Sequence, residues 1–294
     1  MDYVAQLQAL PRRHEFFIGI DSDGTVFDTM ETKQKECFCP AFIKHFGLQA
    51  ASRYAREVWE FFNLYSRDRG TNRFIALQKV LRLMAERDVF AERGLKIAPI
   101  PALDAWLAEE TQPANPALEA RVKTTGDPAL AKVLAWSLEV NSRIKDLVHG
   151  VPPFPWVRQS LEKIRPRADV IVVSYAPVEA LEREWREHNI RPFADCLAGQ
   201  EAGSKSDHIR YAAAGRYAPD KMLVIGDAPG DLRAAQANHA LFFPIIPGDE
   251  VRSWKRFHEE AADKFFNGTF AGTYQEELLR AFAAALPEKA PWQH

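Results

Sequence analysis

Short, unbroken apolar runs punctuate the chain, and most of them close on a polar residue: "FFIGI" before Asp21, "DVIVVS" ending at Ser174, "MLVIG" before Asp227, and "ALFFPII" ahead of Pro247 and Gly248. Apolar character at every position, rather than at alternate ones, marks strands covered on both faces, as in a parallel sheet. Between the last three runs lie helical stretches, "VEALEREWREHN", "KSDHIRYAAAGRY" and "DLRAAQANH". Strand and helix alternate in the βαβ rhythm of a doubly wound, Rossmann-like α/β fold.

That rhythm breaks between the first and second runs, where far more chain intervenes than a crossover needs. From Glu31 to His149 it reads as helices: "ETKQKECFCPAFIKHF", "ASRYAREVWEFFNLYS", "NRFIALQKVLRLMAERD", "ALDAWLAEE" and "PALAKVLAWSLEVNSRIKDLV". Apolar residues recur there at three- and four-residue spacing, so the insertion is expected to be an all-helical domain of its own. It ends at "GVPPFPW", where Pro152, Pro153 and Pro155 forbid helix and mark a linker back to the sheet. The expected organisation is a discontinuous α/β core, 1–30 and 150–294, around a helical domain, 31–149. From Asp249 onward two more helices, joined by a turn around Asn267 and Gly268, are expected to pack against the core.

Composition narrows the chemistry. A formal net charge of -2 gives no general attraction to nucleic acid or an anionic membrane, so the expected partner is a small molecule bound at a local site. Cys37, Cys39 and Cys196 are too few for a disulfide framework and suit a reducing compartment; Cys37 and Cys39 lack the second pair a zinc site needs and read as ordinary helix residues. The N-terminus shows no signal-peptide pattern, and no stretch approaches roughly 18 uninterrupted apolar residues. A cytoplasmic protein is expected. No signal sets an oligomeric state.

In an open parallel sheet ligands sit at the carboxyl ends of the strands. Asp21 and Asp23, Ser174, and Asp227 with Asp231 all fall at such ends, although they are scattered along the sequence. Close carboxylates repel, so such a cluster needs a cation or protons, and an all-oxygen set points to Mg2+. An EF-hand does not fit, because its glycine would fall at Val26 and the loop follows a strand. Lys205, at a loop-to-helix junction, can offset a phosphate, and Ser174 can offer its hydroxyl to an oxyanion.

"DSDGT", "VVSYAP", "GSK" and "GDAPGD", in that order, resemble the four motifs of the haloacid dehalogenase (HAD) superfamily, in its phosphatase branch. The helical insertion resembles that superfamily's C1-type cap. The resemblance implies that Asp21 is the nucleophile forming an aspartyl-phosphate, and that Asp23 is the general acid and then base. It further implies that Ser174, Lys205 and Thr25 bind the phosphoryl group. Mg2+ would be held by Asp21, the Asp23 carbonyl, Asp227 and Asp231. The presence of Asp23 favours phosphate esters over carbon–halogen bonds, because an alkoxide leaving group needs a proton and a halide does not. The implied partner is a small phosphorylated metabolite.

Substrate choice is expected in the cap, where Arg67, Arg69, Asn72 and Arg73 cluster around Gly70 in "YSRDRGTNRF", with Lys33 and Lys35 as further candidates; a solvated interhelical loop is the plainer reading. A phosphotransferase or mutase would use the same core residues. A P-loop is a remoter rival: "GQEAGSKS" matches its pattern except that Ser204 replaces the second glycine.

Overall fold

The computed structural model describes residues 2–293. These form two compact units: one comprises the chain up to Met30 and Gly150–Leu286, the other runs from Glu31 to His149 and takes in the residues from Pro287 onward.

The first unit is built on a five-stranded, wholly parallel sheet of β1 (Phe16–Ile20), β2 (Ala168–Val173), β3 (Cys196–Ala198), β4 (Met222–Gly226) and β5 (Leu241–Pro244). Its order is β3-β2-β1-β4-β5. Every residue of β1, β2 and β4 is buried, the physical reason these strands read as continuous apolar runs. Side chains nevertheless alternate between two cores. Phe16, Ile18, Ile20, Val170, Val172, Leu223 and Ile225 pack on one face, under the helices Val157–Ile164 and Val178–Glu187 and the helical run from Glu250 to Phe266. Phe17, Ile171, Val173 and Val224 pack on the other, under Tyr3–Gln8, Lys205–Ala213, Pro229–Ala237 and Thr273–Ala285. The strand order changes direction between β1 and β4, so Asp21 and Asp227, which follow them, stand side by side at the switch point where such sheets bind ligands.

Several elements are absent from the sequence reading. Strand β3 has only three residues, too short for a periodic signal. The helices Tyr3–Gln8 and Asp88–Glu92 are little longer, and Asn115–Thr125 buries only Leu118. The run from Glu250 to Phe266 contains a π-helical turn, Phe257–Ala261, before the turn at Asn267 and Gly268, where Gly268 adopts φ 73°.

The second unit is helical. The principal helices are Cys39–Phe46, Ser52–Leu64, Arg73–Ala85, Pro101–Glu109 and Pro128–Leu147. Their core is aromatic: Trp59, fully buried, lies 4.9 Å from Phe42 and 5.9 Å from Trp136 between ring centroids. Phe61 and Phe62 are buried as well, so these rings serve packing. A π-helical turn, Lys33–Phe38, opens the unit. Among the described residues no helix is long and apolar enough to cross a membrane.

Candidate active site

The loop after β1 is a tight turn set by backbone hydrogen bonds. The Asp21 N–H donates to the Ile225 carbonyl at 2.9 Å, tying the loop to β4. The N–H groups of Val26 and Phe27 both donate to the Ser22 carbonyl, at 2.9 and 3.1 Å, and that of Gly24 donates to the Phe27 carbonyl at 2.8 Å. Gly24 sits at φ 80°, a conformation that costs other residues strain. The returning linker docks here: Phe154 N–H donates to the Val26 carbonyl at 2.9 Å.

Three elements bring four charged groups together. Lys205 is the first residue of its helix, and Ser204 caps that helix reciprocally with Asp207, each side chain accepting the other's backbone N–H. Its Nζ lies 2.8 Å from Asp21 Oδ1 and 2.6 Å from Asp231 Oδ1. Asp231 Oδ2 accepts the Ala228 N–H at 3.0 Å, satisfying an otherwise orphaned donor at the start of the helix Pro229–Ala237. The Thr25 hydroxyl lies 2.7 Å from Asp227 Oδ1 and 3.2 Å from Asp21 Oδ2. Asp21, Thr25, Lys205, Asp227 and Asp231 are all buried, and Asp21, Asp227 and Asp231 each present an oxygen within 4.8 Å of the others. Gly226 makes room for this: a Cβ there would lie 2.4 Å from the Asp231 Cβ and Cγ.

Three carboxylates around one ammonium leave an excess of negative charge where solvent cannot screen it. Burial pushes the Asp21 carboxyl well above its ordinary range; Lys205 opposes the shift, and Asp231 and Asp227 reinforce it. Asp231 is raised for the same reasons, burial first. Lys205 loses to burial but gains more from Asp21 and Asp231, and its ammonium is held far into the basic range. One hydroxyl proton on Thr25 can serve only one carboxylate, so a proton on Asp21 would satisfy the second contact. His208, one turn along from Lys205 and fully buried, is pushed down to about 4, chiefly by burial and then by Lys205, and stays neutral.

Asp23 is half-buried and accepts from the Thr29 hydroxyl. Ser174 ends β2 beside β1, with its N–H on the Ala198 carbonyl at 3.0 Å and its hydroxyl accepting the Ala176 N–H at 3.1 Å. Neither belongs to the buried carboxylate group.

Each of the four polar residues around Gly70 has partners within the helical unit. Arg67 is exposed and pairs with Glu288 at 3.0 Å. Buried Arg69 donates to the Leu64 carbonyl at 2.8 Å. Asn72 caps the helix Arg73–Ala85 and donates to the Pro113 carbonyl at 2.9 Å. Arg73 stacks over Phe38, 4.9 Å from its centroid, and donates to Ser137 Oγ and Asn141 Oδ1 at 3.0 and 2.7 Å. Burial pushes Arg73 down to about 10. A denser polar cluster in this unit joins Glu31, Lys35 and Tyr65: Lys35 Nζ lies 2.5 Å from Glu31 Oε2, and the Tyr65 hydroxyl donates to Glu31 Oε1.

Sequence reasoning left two residues of the site unnoticed. Trp254 and Trp185, fully buried on one face of the sheet, donate their indole N–H groups to the Thr25 carbonyl at 2.7 Å and to Ser22 Oγ at 3.1 Å. Only the tertiary fold brings them to this loop. The cysteines are free and buried, with Cys39 and Cys196 raised by burial to about 12 and about 11, as inert thiols.

The fold resembles that of solved proteins described as haloacid dehalogenase-like hydrolases and phosphatases. A "putative phosphoglycolate phosphatase" from Lactobacillus delbrueckii subsp. bulgaricus shares the fold with a TM-score of 0.50 at 18% identity, over 88% of this chain and 100% of that one. A "predicted phosphoglycolate phosphatase" from Haemophilus somnus aligns with a TM-score of 0.47 at 15% identity, over 79% of this chain and 86% of that one. A haloacid dehalogenase-like family hydrolase from Xanthomonas campestris does so with a TM-score of 0.47 at 11% identity, over 88% and 96%. No family model matches the chain, and no curated protein matches it. The likeness is one of fold.

Proposed function

We propose that this chain is a Mg2+-dependent phosphatase that hydrolyses a small phosphomonoester through an aspartyl-phosphate on Asp21. The observation that carries the reading is the buried group in which Lys205 bridges Asp21 and Asp231 beside Asp227. A hard, all-oxygen donor set with excess negative charge fits Mg2+. Asp21, Asp227 and Asp231, with the Asp23 carbonyl, would hold the ion, which when bound would neutralise charge on the phosphoryl oxygens.

The chain's own groups supply the rest. An Asp21 oxygen bonds to phosphorus as the ester oxygen departs, and Asp23 gives that oxygen its proton. Asp23, now a carboxylate, takes a proton from the water that cleaves the acyl phosphate and frees Asp21. Thr29 donates to Asp23 and fixes the direction of its side chain. Lys205, Ser174 and Thr25 hold the phosphoryl oxygens, and Lys205 keeps its charge throughout. A phosphotransferase or mutase differs only in the acceptor that replaces water. A P-loop role for "GQEAGSKS" is disfavoured, because Ser204 stands where that pattern needs its second glycine and its side chain is committed to a helix cap. Substrate choice is assigned to the helical unit, with Lys33, Lys35, Arg67, Arg69, Asn72 and Arg73 as its candidate anion-reading residues.

Turnover of p-nitrophenyl phosphate with Mg2+, abolished by EDTA and by Asp21→Asn, is the expected result. Undiminished turnover by the Asp21→Asn protein would remove Asp21 as nucleophile. A panel of phosphorylated metabolites then identifies the substrate.

A further inference from the structure

The geometry points to Trp254 as a positioning residue for the phosphoryl-transfer loop, an inference that rests on the function proposed above. Thr25 is the hub of that loop: its hydroxyl sits between Asp21 and Asp227, at 3.2 and 2.7 Å. Its carbonyl accepts the Trp254 indole N–H at 2.7 Å, in a side chain with no exposed surface. A buried carbonyl held by one short, directed bond has a fixed peptide plane, and that plane sets where the Thr25 hydroxyl points.

The clamp has two jaws. Ser22, next to the nucleophile, receives the Trp185 indole at 3.1 Å, so buried indoles grip the turn on either side of Asp23. Both come from the layer covering one face of the sheet, whereas Lys205 and Asp231 arrive on helices covering the other. The loop is therefore registered against both layers, and the relative placement of Asp21 and Asp227 depends on the hydrogen bond as well as on packing. Trp254, Phe257, Ala261 and Phe265, at helical spacing along the run that contains the π-helical turn Phe257–Ala261, all face the core. This gives the segment after Asp249 a function: it carries the indole to the loop. Trp254 acts through Thr25 and touches no reacting atom.

The test is Trp254→Phe, which removes the N–H and keeps an aromatic ring, beside Phe257→Leu. Phe257 lies 5.6 Å from the Trp254 ring and has no polar group, so its truncation loosens the same packing without touching the hydrogen bond. Both folded proteins are assayed for kcat, KM and the Mg2+ concentration giving half-maximal activity. Trp254→Phe is expected to lower kcat about tenfold and raise that Mg2+ concentration, with KM little changed; Phe257→Leu is expected to lower Tm and leave both parameters near wild type. Wild-type kcat and Mg2+ dependence in Trp254→Phe, or an equal kcat loss in Phe257→Leu, would overturn the inference. An active Asp21→Asn control would instead place the failure in the functional reading.

Discussion

Replacing Asp21 with Asn should stabilise the protein while destroying its activity. At an effective dielectric of about 20, a carboxylate within 4.8 Å of Asp21 repels it by at least roughly 3.5 kcal/mol, and the 2.8 Å contact with Lys205 attracts it by roughly 6 kcal/mol. With two such carboxylates, repulsion at least offsets the attraction. Burial then decides, costing several kcal/mol for an ion withdrawn from water, in keeping with its rank as the first cause of the raised Asp21 pKa. An asparagine keeps the shape: its oxygen can accept from Lys205 and its amide can donate to the Thr25 hydroxyl, which remains free to donate to Asp227. In EDTA at pH 8 the variant is therefore expected to gain on the order of 2 kcal/mol, or about 4–8 °C in Tm. The sign of the pH dependence follows. A carboxyl raised in the folded state binds protons more tightly there than when unfolded, so its stabilisation is present at low pH and lost as pH climbs through the folded value. The advantage of Asp21→Asn should shrink toward zero at pH 4, where the wild-type carboxyl carries its proton. Scanning fluorimetry across that range is the assay. A variant less stable than wild type at pH 8 would show that the bond to Lys205 outweighs burial and would refute the reasoning.

Other consequences are as direct. Because protons compete for Asp21 and Asp231, the rise in Tm produced by Mg2+ should be larger at pH 8 than at pH 5, and a pH-independent rise would argue against these ligands. Lys205→Met leaves the carboxylates without their ammonium: turnover is expected to fall at least about 100-fold, and stability at pH 8 by about 3–5 kcal/mol, recovering at low pH as the carboxyls take up protons. In Gly226→Ala the new Cβ meets Asp231 at 2.4 Å, so a loss of about 1–3 kcal/mol and a weakened Mg2+ dependence are expected, read by melting and by titrating Mg2+ against activity.

The sheet was legible because its strands are buried on both faces, so "FFIGI" and "MLVIG" carry the pattern of their environment, and polar residues after them had to lie at strand ends. Strand β3 was not, since three residues hold no period, and its place at the sheet edge comes from pairing with β2. Around Gly70 the sequence displays charge without direction: the structure commits Asn72 to a helix cap and Arg73 to Ser137 and Asn141. The segment after Asp249 read only as helices packing on the core; Trp254 within it is buried there, and its N–H finds a carbonyl far upstream in the chain, a pairing only the folded layers create.

The account rests on a covalent bond between Asp21 and phosphorus. Enzyme turning over a phosphomonoester with Mg2+ is quenched into borohydride, which reduces an acyl phosphate to the alcohol, and the peptide containing residue 21 is sequenced by mass spectrometry. Homoserine in place of Asp21, dependent on substrate, is the predicted result; full turnover with Asp21 unmodified, or with the reduced residue elsewhere, would contradict it.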